Sequence, residues 1–473
     1  MTLLTGLSAV VGDSNVLTGG DAKPFLTDWT GQWSGGAAAV VRPSSTAEVS
    51  AVLRLAGELG VTVTVQGGNT SVSGGSVPAR DDGVLLSLGR LNRIREIDVL
   101  ARTATVDAGV VIQTLQEAVA AHDLDYPLMF GARGSAMIGG ALATNAGGAN
   151  VLRHGNARDL CLGIEAVLPS GEIVHGLTGL RKDNTGYDLK NLLIGSEGTL
   201  GIITGAVLKL VPSPKVRSTA FLALANMEAT LEVLNRMQEG SGGLVEAFEW
   251  LPREMVGAII ATNPGLREPL DTPAETGVLV ELVSTRPEDA ATDSDGAVHL
   301  DSLMLGVVED LMERAVVIDG FFATSEQQRI DLWTLREAVL ETIQANGPFL
   351  SLDAALPLSK VAGFLDTAAE IAQAAQLRPM LVAHLGDGNV HYAVVAAEGR
   401  VWGDLDVTGF VRDLTDLLVA FGGSFSAEHG VGRGKVGTLE ARKDPAQLGM
   451  MAAIKRGIDP NGTLNPGVLF ADE

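Results

Sequence analysis

The stretch Leu381-Val382-Ala383-His384-Leu385-Gly386-Asp387-Gly388-Asn389-Val390-His391-Tyr392 carries two imidazoles on either side of an Asp-Gly pair. An apolar run, the Asp387-Gly388 pair and a second run through Val394 and Val395 read as a β-hairpin. Asp-Gly supplies the positive φ angles that a two-residue type I′ turn demands. In that register Gly386 faces Asn389, Leu385 faces Val390 and His384 faces His391. Directly opposed residues share a face, with Cβ atoms roughly 4.5–5.5 Å apart. Two imidazoles so presented are close enough to hold one metal ion. Ser426-Ala427-Glu428-His429-Gly430-Val431-Gly432 adds a carboxylate and a third imidazole in a Gly-rich loop. Three of the chain's seven histidines lie in these two stretches, which favours a metal centre over unrelated turn residues.

The elements that must position these groups belong to a chain of 473 residues, long enough for several domains with proper cores. Hydrophobic residues make up 46%, which marks a globular protein. The net charge of −23 repels nucleic acid and anionic lipid, so no nucleic-acid partner is expected. A few arginines can still form a positive pocket for a small anion. Cys161 is the only cysteine, which excludes disulfides within the chain, zinc ribbons and iron–sulfur clusters. The first basic residue is Lys23, so the partly apolar start does not read as a secretory signal. No apolar run reaches the length of a membrane span, and a cytoplasmic location is the expectation.

Along the N-terminal half, Ala37–Pro43 reads as a short buried strand, Thr46 as a helix cap and Val61–Val65 as a half-buried strand. Three loops of small residues follow or adjoin such β patterns: Gln66–Ser76, Gly131–Gly148 and Gly195–Thr204. Loops of this kind form nests for phosphate oxygens and let backbone approach something flat and large. Together they suggest an extended ligand with a pyrophosphate. The Rossmann fingerprint is absent: the one G-x-G-x-x-G, at Gly432, Gly434 and Gly437, has no strand directly before it. Val211-Pro212-Ser213-Pro214 marks a boundary. Beyond it, strands at Ser218–Ala225 and Val278–Ser284, with helices at Met227–Glu239 and Ser325–Asn346, suit an α+β domain with an antiparallel sheet.

Residues 35–213 resemble the FAD-binding domain of the para-cresol methylhydroxylase and vanillyl-alcohol oxidase superfamily. The resemblance is carried by Gln66–Ser76, by Gly139-Gly140 with Thr144-Asn145-Ala146-Gly147-Gly148, by Leu152-Arg153-His154-Gly155 and by Gly195–Thr204. It implies an α+β domain of two subdomains with FAD between them. The pyrophosphate is then expected on Gly67, Gly68, Asn69, Thr70 and Ser71. Further FAD contacts are expected at Ser135, Gly139, Thr144, Gly148, Glu197, Gly198 and Ile203. Some members bond FAD through His, Cys or Tyr; Gln66–Ser76 contains none of these, so non-covalent FAD is expected.

Residues 214–467 resemble the FAD-linked oxidase C-terminal domain of D-2-hydroxyglutarate dehydrogenase, D-lactate dehydrogenase and the glycolate oxidase FAD subunit. Leu332-Trp333-Thr334-Leu335-Arg336-Glu337, His384–His391, Ser426–Gly432 and Asp459–Gly467 carry it. It implies His384, His391 and Glu428 as metal ligands, His429 as the base, Arg336 as the anchor of the substrate carboxylate and Asn465 near the flavin. Two histidines and a carboxylate suit Zn²⁺ and also accept Mn²⁺ or Fe²⁺. Three positions depart from the family's hydroxyglutarate enzymes: Leu340 for a threonine, Ser351 for a lysine and Ala393 for an asparagine.

The combined expectation is an FAD- and metal-dependent dehydrogenase of a D-2-hydroxy acid. An external acceptor (an electron-transfer flavoprotein, a quinone or a cytochrome) takes the electrons, and a homodimer is compatible. An oxidase that uses O₂ directly is the second reading. A flavin electron-carrier subunit without substrate chemistry is the third, disfavoured because a carrier has no use for the His384, His391, Glu428 and His429 set.

Overall fold

The computed structural model describes residues 2–271, 274–294 and 296–471. The fold is α+β in two units, one of residues 2–147, 154–212 and 428–471, the other of 148–153 and 213–427. One of the divisions between the units falls after Pro212. Residues 428–471, which follow the second unit in sequence, pack with the first unit.

Besides a two-stranded pair of Leu124–Asp125 with Val211–Pro212, the first unit contains two main sheets, in line with the expected two subdomains. The smaller has the strand order Val16–Leu17, Ala39–Val41, Val84–Ser87, Val63–Gln66, and its last three strands run parallel. The larger is antiparallel, ordered Ile94–Asp98, Thr103–Asp107, Ile202–Lys209, Cys161–Val167, Ile173–Gly176. One apolar core joins both, with Val41, Val63 and Leu86 from the first and Val106, Ile164 and Ala206 from the second. The helix Thr46–Leu59 feeds Val49, Val52 and Leu53 into that core. Its cap is Ser45, one residue before the expected Thr46: Ser45 Oγ accepts from Glu48 N, and Glu48 returns to accept from Ser44 N. Thr46 donates instead to Glu165.

The second unit is built on a seven-stranded antiparallel sheet, ordered Val317–Phe322, Val216–Leu224, Thr276–Ser284, Val245–Pro252, Leu377–His384, Asn389–Ala396, Phe349–Ala355. Its central strands are apolar on both faces, so helices cover both. The helices Ala229–Ser241, His299–Glu313, Val361–Ala374 and Val407–Ala420 pack on the face that carries Phe248, Trp250, Val390 and Tyr392. The helices Arg253–Thr262, Glu326–Glu337 and Val339–Ala345 cover part of the other, against Leu251, Leu279, Met380 and Val382. The expected single helix over Ser325–Asn346 breaks in two at Ala338, with Ser325 capping the first. Among the described residues, no helix is long and apolar enough to cross a membrane.

The return of the chain to the first unit combines apolar contacts of Leu464, Ile454 and Ile458 with buried polar groups. Leu464 bridges to Val63 beside the parallel sheet. The helix Pro445–Ile458 carries in its last turn Lys455, whose ammonium donates to Thr199 O and Leu464 O and pairs with Asp459. Asp459, 3% exposed, also accepts from Thr463 N and Leu464 N. Removing one partner of a buried pair strands the other charge, so Asp459→Ala should lower stability by about 3–5 kcal/mol. Urea unfolding would measure this, and a loss under about 1 kcal/mol would show that the pair does not hold the segment.

Candidate active site

The two imidazoles of the hairpin stand on one face of the seven-stranded sheet, in a register different from the expected one. The turn has four residues, Leu385–Gly388, and His384 O accepts from Asp387 N and Gly388 N. His384 therefore pairs with Asn389, and His391 pairs with Val382. Only Gly388 of the Asp-Gly pair has positive φ, at +83°. Its lack of a side chain is required there, because a Cβ would stand 2.2 Å from Leu356 O. The register differs from expectation by two residues, an even number, so both histidines keep the same face. Their ring centroids lie 5.2 Å apart, edge to face.

Each histidine has a buried carboxylate beside its Nδ1. On the neighbouring strand Glu249 is the cross-strand partner of His384, and its Oε1 is 2.7 Å from His384 Nδ1. A carboxylate only accepts, so in the neutral ring Nδ1 carries the hydrogen and Nε2 the lone pair. The other oxygen of Glu249 accepts from Arg336 Nε, also at 2.7 Å. Glu249 is 1% exposed. Burial alone would raise its carboxyl, but when His384 is protonated its charge, that of Arg336 and the hydrogen bonds of both outweigh this and hold it down to about 2. Arg336 is thus no solvated surface arginine: its side chain is 13% exposed and turned to the sheet. The same helix sends Trp333 Nε1 and Arg329 Nη1 to a second buried acid, Glu281, which Arg217 and Thr219 also bind. Positions 329, 333 and 336 share one helical face, so the docking of this helix is largely polar along that line.

On the far side of the hairpin, Asp353 is the cross-strand partner of His391, with Oδ1 3.9 Å from His391 Nδ1. It is 1% exposed and accepts from Asn389 Nδ2 and from Ala427 N. Ala427 immediately precedes Glu428. Ser351 and Ala393 form the next pair of the same register on this face, and Ala393 is fully buried among apolar neighbours. Leu152 lies against Gly386 at the hairpin turn, and Arg153 binds Glu246 and Val283 O.

In the first unit, Glu428 Oε1 is 3.6 Å from His429 Nε2. The loop that follows is fixed by Glu197, whose carboxylate accepts from Val431 N and Gly432 N. Burial raises the Glu197 carboxyl, and these two amides with Lys435 offset part of the effect. Ser73 Oγ reaches the carbonyls of His429 and Gly430, and Gly432 approaches Ser73 so closely that a Cβ would lie 2.1 Å from Ser73 O.

The same unit brings together the three small-residue loops. A Cβ on Gly68 would lie 2.0 Å from Ser135 O, and Gly67 neighbours Met137 and Gly140. Glu197 N donates to Ala143 O, and Gly198 lies against Asn465 and Val65. Several expected cofactor residues use their polar groups within the protein. Asn69 donates to Thr27 O and accepts from Ser76, Thr70 O accepts from Trp29, and Ser71 Oγ accepts from Ser73 N. Gly139 N donates to Ala108 O, and Thr144 Oγ1 donates to Gly140 O. Ile203 is a core residue of its strand. Asn465 stitches Val65 N to Glu197 O. Gly148 belongs to the second unit. At Gly140 a Cβ would meet nothing within 4 Å, so small residues there leave open space beside backbone, which suits a bulky flat ligand such as FAD.

Glu249 and Asp353 are not visible in motif spacing. The available signal was composition: each is a carboxylate in a largely apolar strand, Glu249 together with Glu246, and a buried carboxylate is tolerated only when its charge is matched. Two imidazoles with a carboxylate behind each is also a donor set that fits a borderline divalent cation.

Residues 213–469 match the model of FAD linked oxidases, C-terminal domain, and residues 37–176 that of an FAD binding domain. The rat (Rattus norvegicus) mitochondrial D-2-hydroxyglutarate dehydrogenase is 34% identical over 448 residues, 93% of this chain and 79% of that protein. The D-2-hydroxyglutarate–pyruvate transhydrogenase of Saccharomyces cerevisiae is 32% identical over 459 residues, 93% of this chain and 88% of that one. Substrate-bound p-cresol methylhydroxylase shares the fold with a TM-score of 0.74 at 17% identity, over 99% of this chain and 96% of that one. The chain therefore belongs to the FAD-linked oxidase family and is an FAD-dependent oxidoreductase.

Proposed function

We propose that the protein oxidises a D-2-hydroxy acid to the 2-oxo acid and depends on a divalent cation, Zn²⁺ by preference, with Mn²⁺ or Fe²⁺ also accommodated. The observation that carries the reading is the convergence, on one sheet face, of the His384 and His391 rings at 5.2 Å with Arg336, bound through Glu249. When bound, FAD supplies a two-electron acceptor and the cation supplies Lewis acidity towards a hydroxyl. His384, His391 and Glu428 provide the donor atoms. Arg336 pairs with the carboxylate beside the reacting carbon. His429 takes the hydroxyl proton, a role suited to an imidazole near neutral pH. With FAD bound, the hydrogen on the substrate's C2 would be transferred to the flavin as hydride, and a separate acceptor would then take the electron pair.

Two relatives are named for D-2-hydroxyglutarate, which carries a second carboxylate. In this chain the sheet beyond the His391–Asp353 pair carries Ser351 and Ala393, and neither has a charge to offer. Together with Leu340, they support a preference for D-2-hydroxy acids with smaller or apolar side chains.

His384→Ala and Glu428→Ala should each retain FAD, lose bound metal and lose most turnover, as read by metal analysis and steady-state rates. Chelator-treated enzyme should behave alike and recover with Zn²⁺ or Mn²⁺; full activity in metal-free protein would remove the cation from the reading. For substrate, kcat/KM for D-lactate, D-2-hydroxybutyrate and D-mandelate should exceed that for D-2-hydroxyglutarate. A tenfold advantage for hydroxyglutarate, about 1.4 kcal/mol, would mean that other groups supply its second anchor.

A further inference from the structure

The sequence motifs assign no part to Glu249, yet it touches two of the groups that the proposed chemistry needs. We infer that Glu249 is a positioning residue that couples the metal ligand His384 to the substrate anchor Arg336 through the two oxygens of one carboxylate; this rests on the function proposed above. Oε1 takes His384 Nδ1 and Oε2 takes Arg336 Nε, both at 2.7 Å. All three side chains belong to one unit, and the strand register makes Glu249 the direct partner of His384.

The geometry fixes both partners. A carboxylate on Nδ1 sets the tautomer and the ring orientation, and so commits Nε2 to ligation. A carboxylate on Nε holds the guanidinium plane, and the edge formed by Nη1 and Nη2 is then the one that can meet an incoming carboxylate in a fork. Glu249 is 1% exposed, so neither partner is readily replaced by water. A shift in one partner is felt by the other through a single rigid group.

Glu249→Gln is nearly isosteric but has one acceptor oxygen for two donors, so it must abandon His384 or Arg336. Zinc affinity measured by competition with a chromophoric chelator should fall about 10- to 100-fold. KM for the best 2-hydroxy acid should rise about tenfold and FAD content should stay near wild type, while the melting temperature should fall because Arg336 loses its buried counter-charge. Glu249→Asp, made alongside, keeps the charge at shorter reach and should move both quantities the same way by less; it carries the test if the glutamine variant does not fold. His384→Ala separates the two levels of the argument. If both Glu249 variants keep wild-type zinc affinity and KM while His384→Ala loses zinc, the coupling is overturned and the metal reading stands. If His384→Ala also keeps zinc, both are overturned. A change in zinc affinity without any change in KM, or the reverse, overturns the coupling as well.

Discussion

Glu249 is a carboxylate withdrawn from water in the middle of the seven-stranded sheet, and the arrangement around it follows from that constraint. A buried charge of this kind is tolerated only if it is matched and hydrogen-bonded. Here the matching groups are His384 from the adjacent strand and Arg336 from a covering helix. The helix is drawn to the sheet by the same chemistry one and two turns earlier, where Trp333 and Arg329 meet Glu281. Removing the acids would leave that helix with three polar side chains facing a sheet that offers them nothing. The polar end of the face and the apolar end, with Met380, Val382, Leu332 and Leu335, are therefore parts of one packing solution.

Much of this was legible in the sequence, and the errors have physical reasons. The Asp-Gly pair announced a hairpin, and the period of two in a strand put both histidines on one side. Turn length is a weaker signal than face: four residues close the hairpin where two were expected, yet an even shift in register leaves the face unchanged. Arg336 was placed on a helix by its periodicity. Its partner was not foreseeable, because Glu249 meets His384 through a strand pairing 135 residues away in sequence. The small-residue loops of the first unit were likewise readable as loops beside strands. That Glu197 and Asn465 spend their side chains on neighbouring backbone could not be read, because it depends on the C-terminal segment returning beside Val63.

The first unit illustrates how glycine and a few buried polar groups make close loop packing feasible. Gly68 on Ser135 and Gly432 on Ser73 leave no room for a side chain. Glu197 and Asn465, both at positive φ, accept that strain because their side chains satisfy backbone groups of neighbouring segments. The result is backbone held near other backbone, with open space at Gly140, in the unit whose sequence matches the FAD-binding model.

The central claim is that a 2-hydroxy acid delivers its hydride to the flavin only when the histidine pair holds its cation. Anaerobic mixing of the enzyme with a D-2-hydroxy acid, followed by flavin absorbance in stopped flow, tests this without any electron acceptor present. The account predicts rapid bleaching in zinc-replete enzyme, little or none after chelation, and recovery when zinc is restored. Equally fast bleaching in the chelated enzyme, or no bleaching by any 2-hydroxy acid, would contradict it.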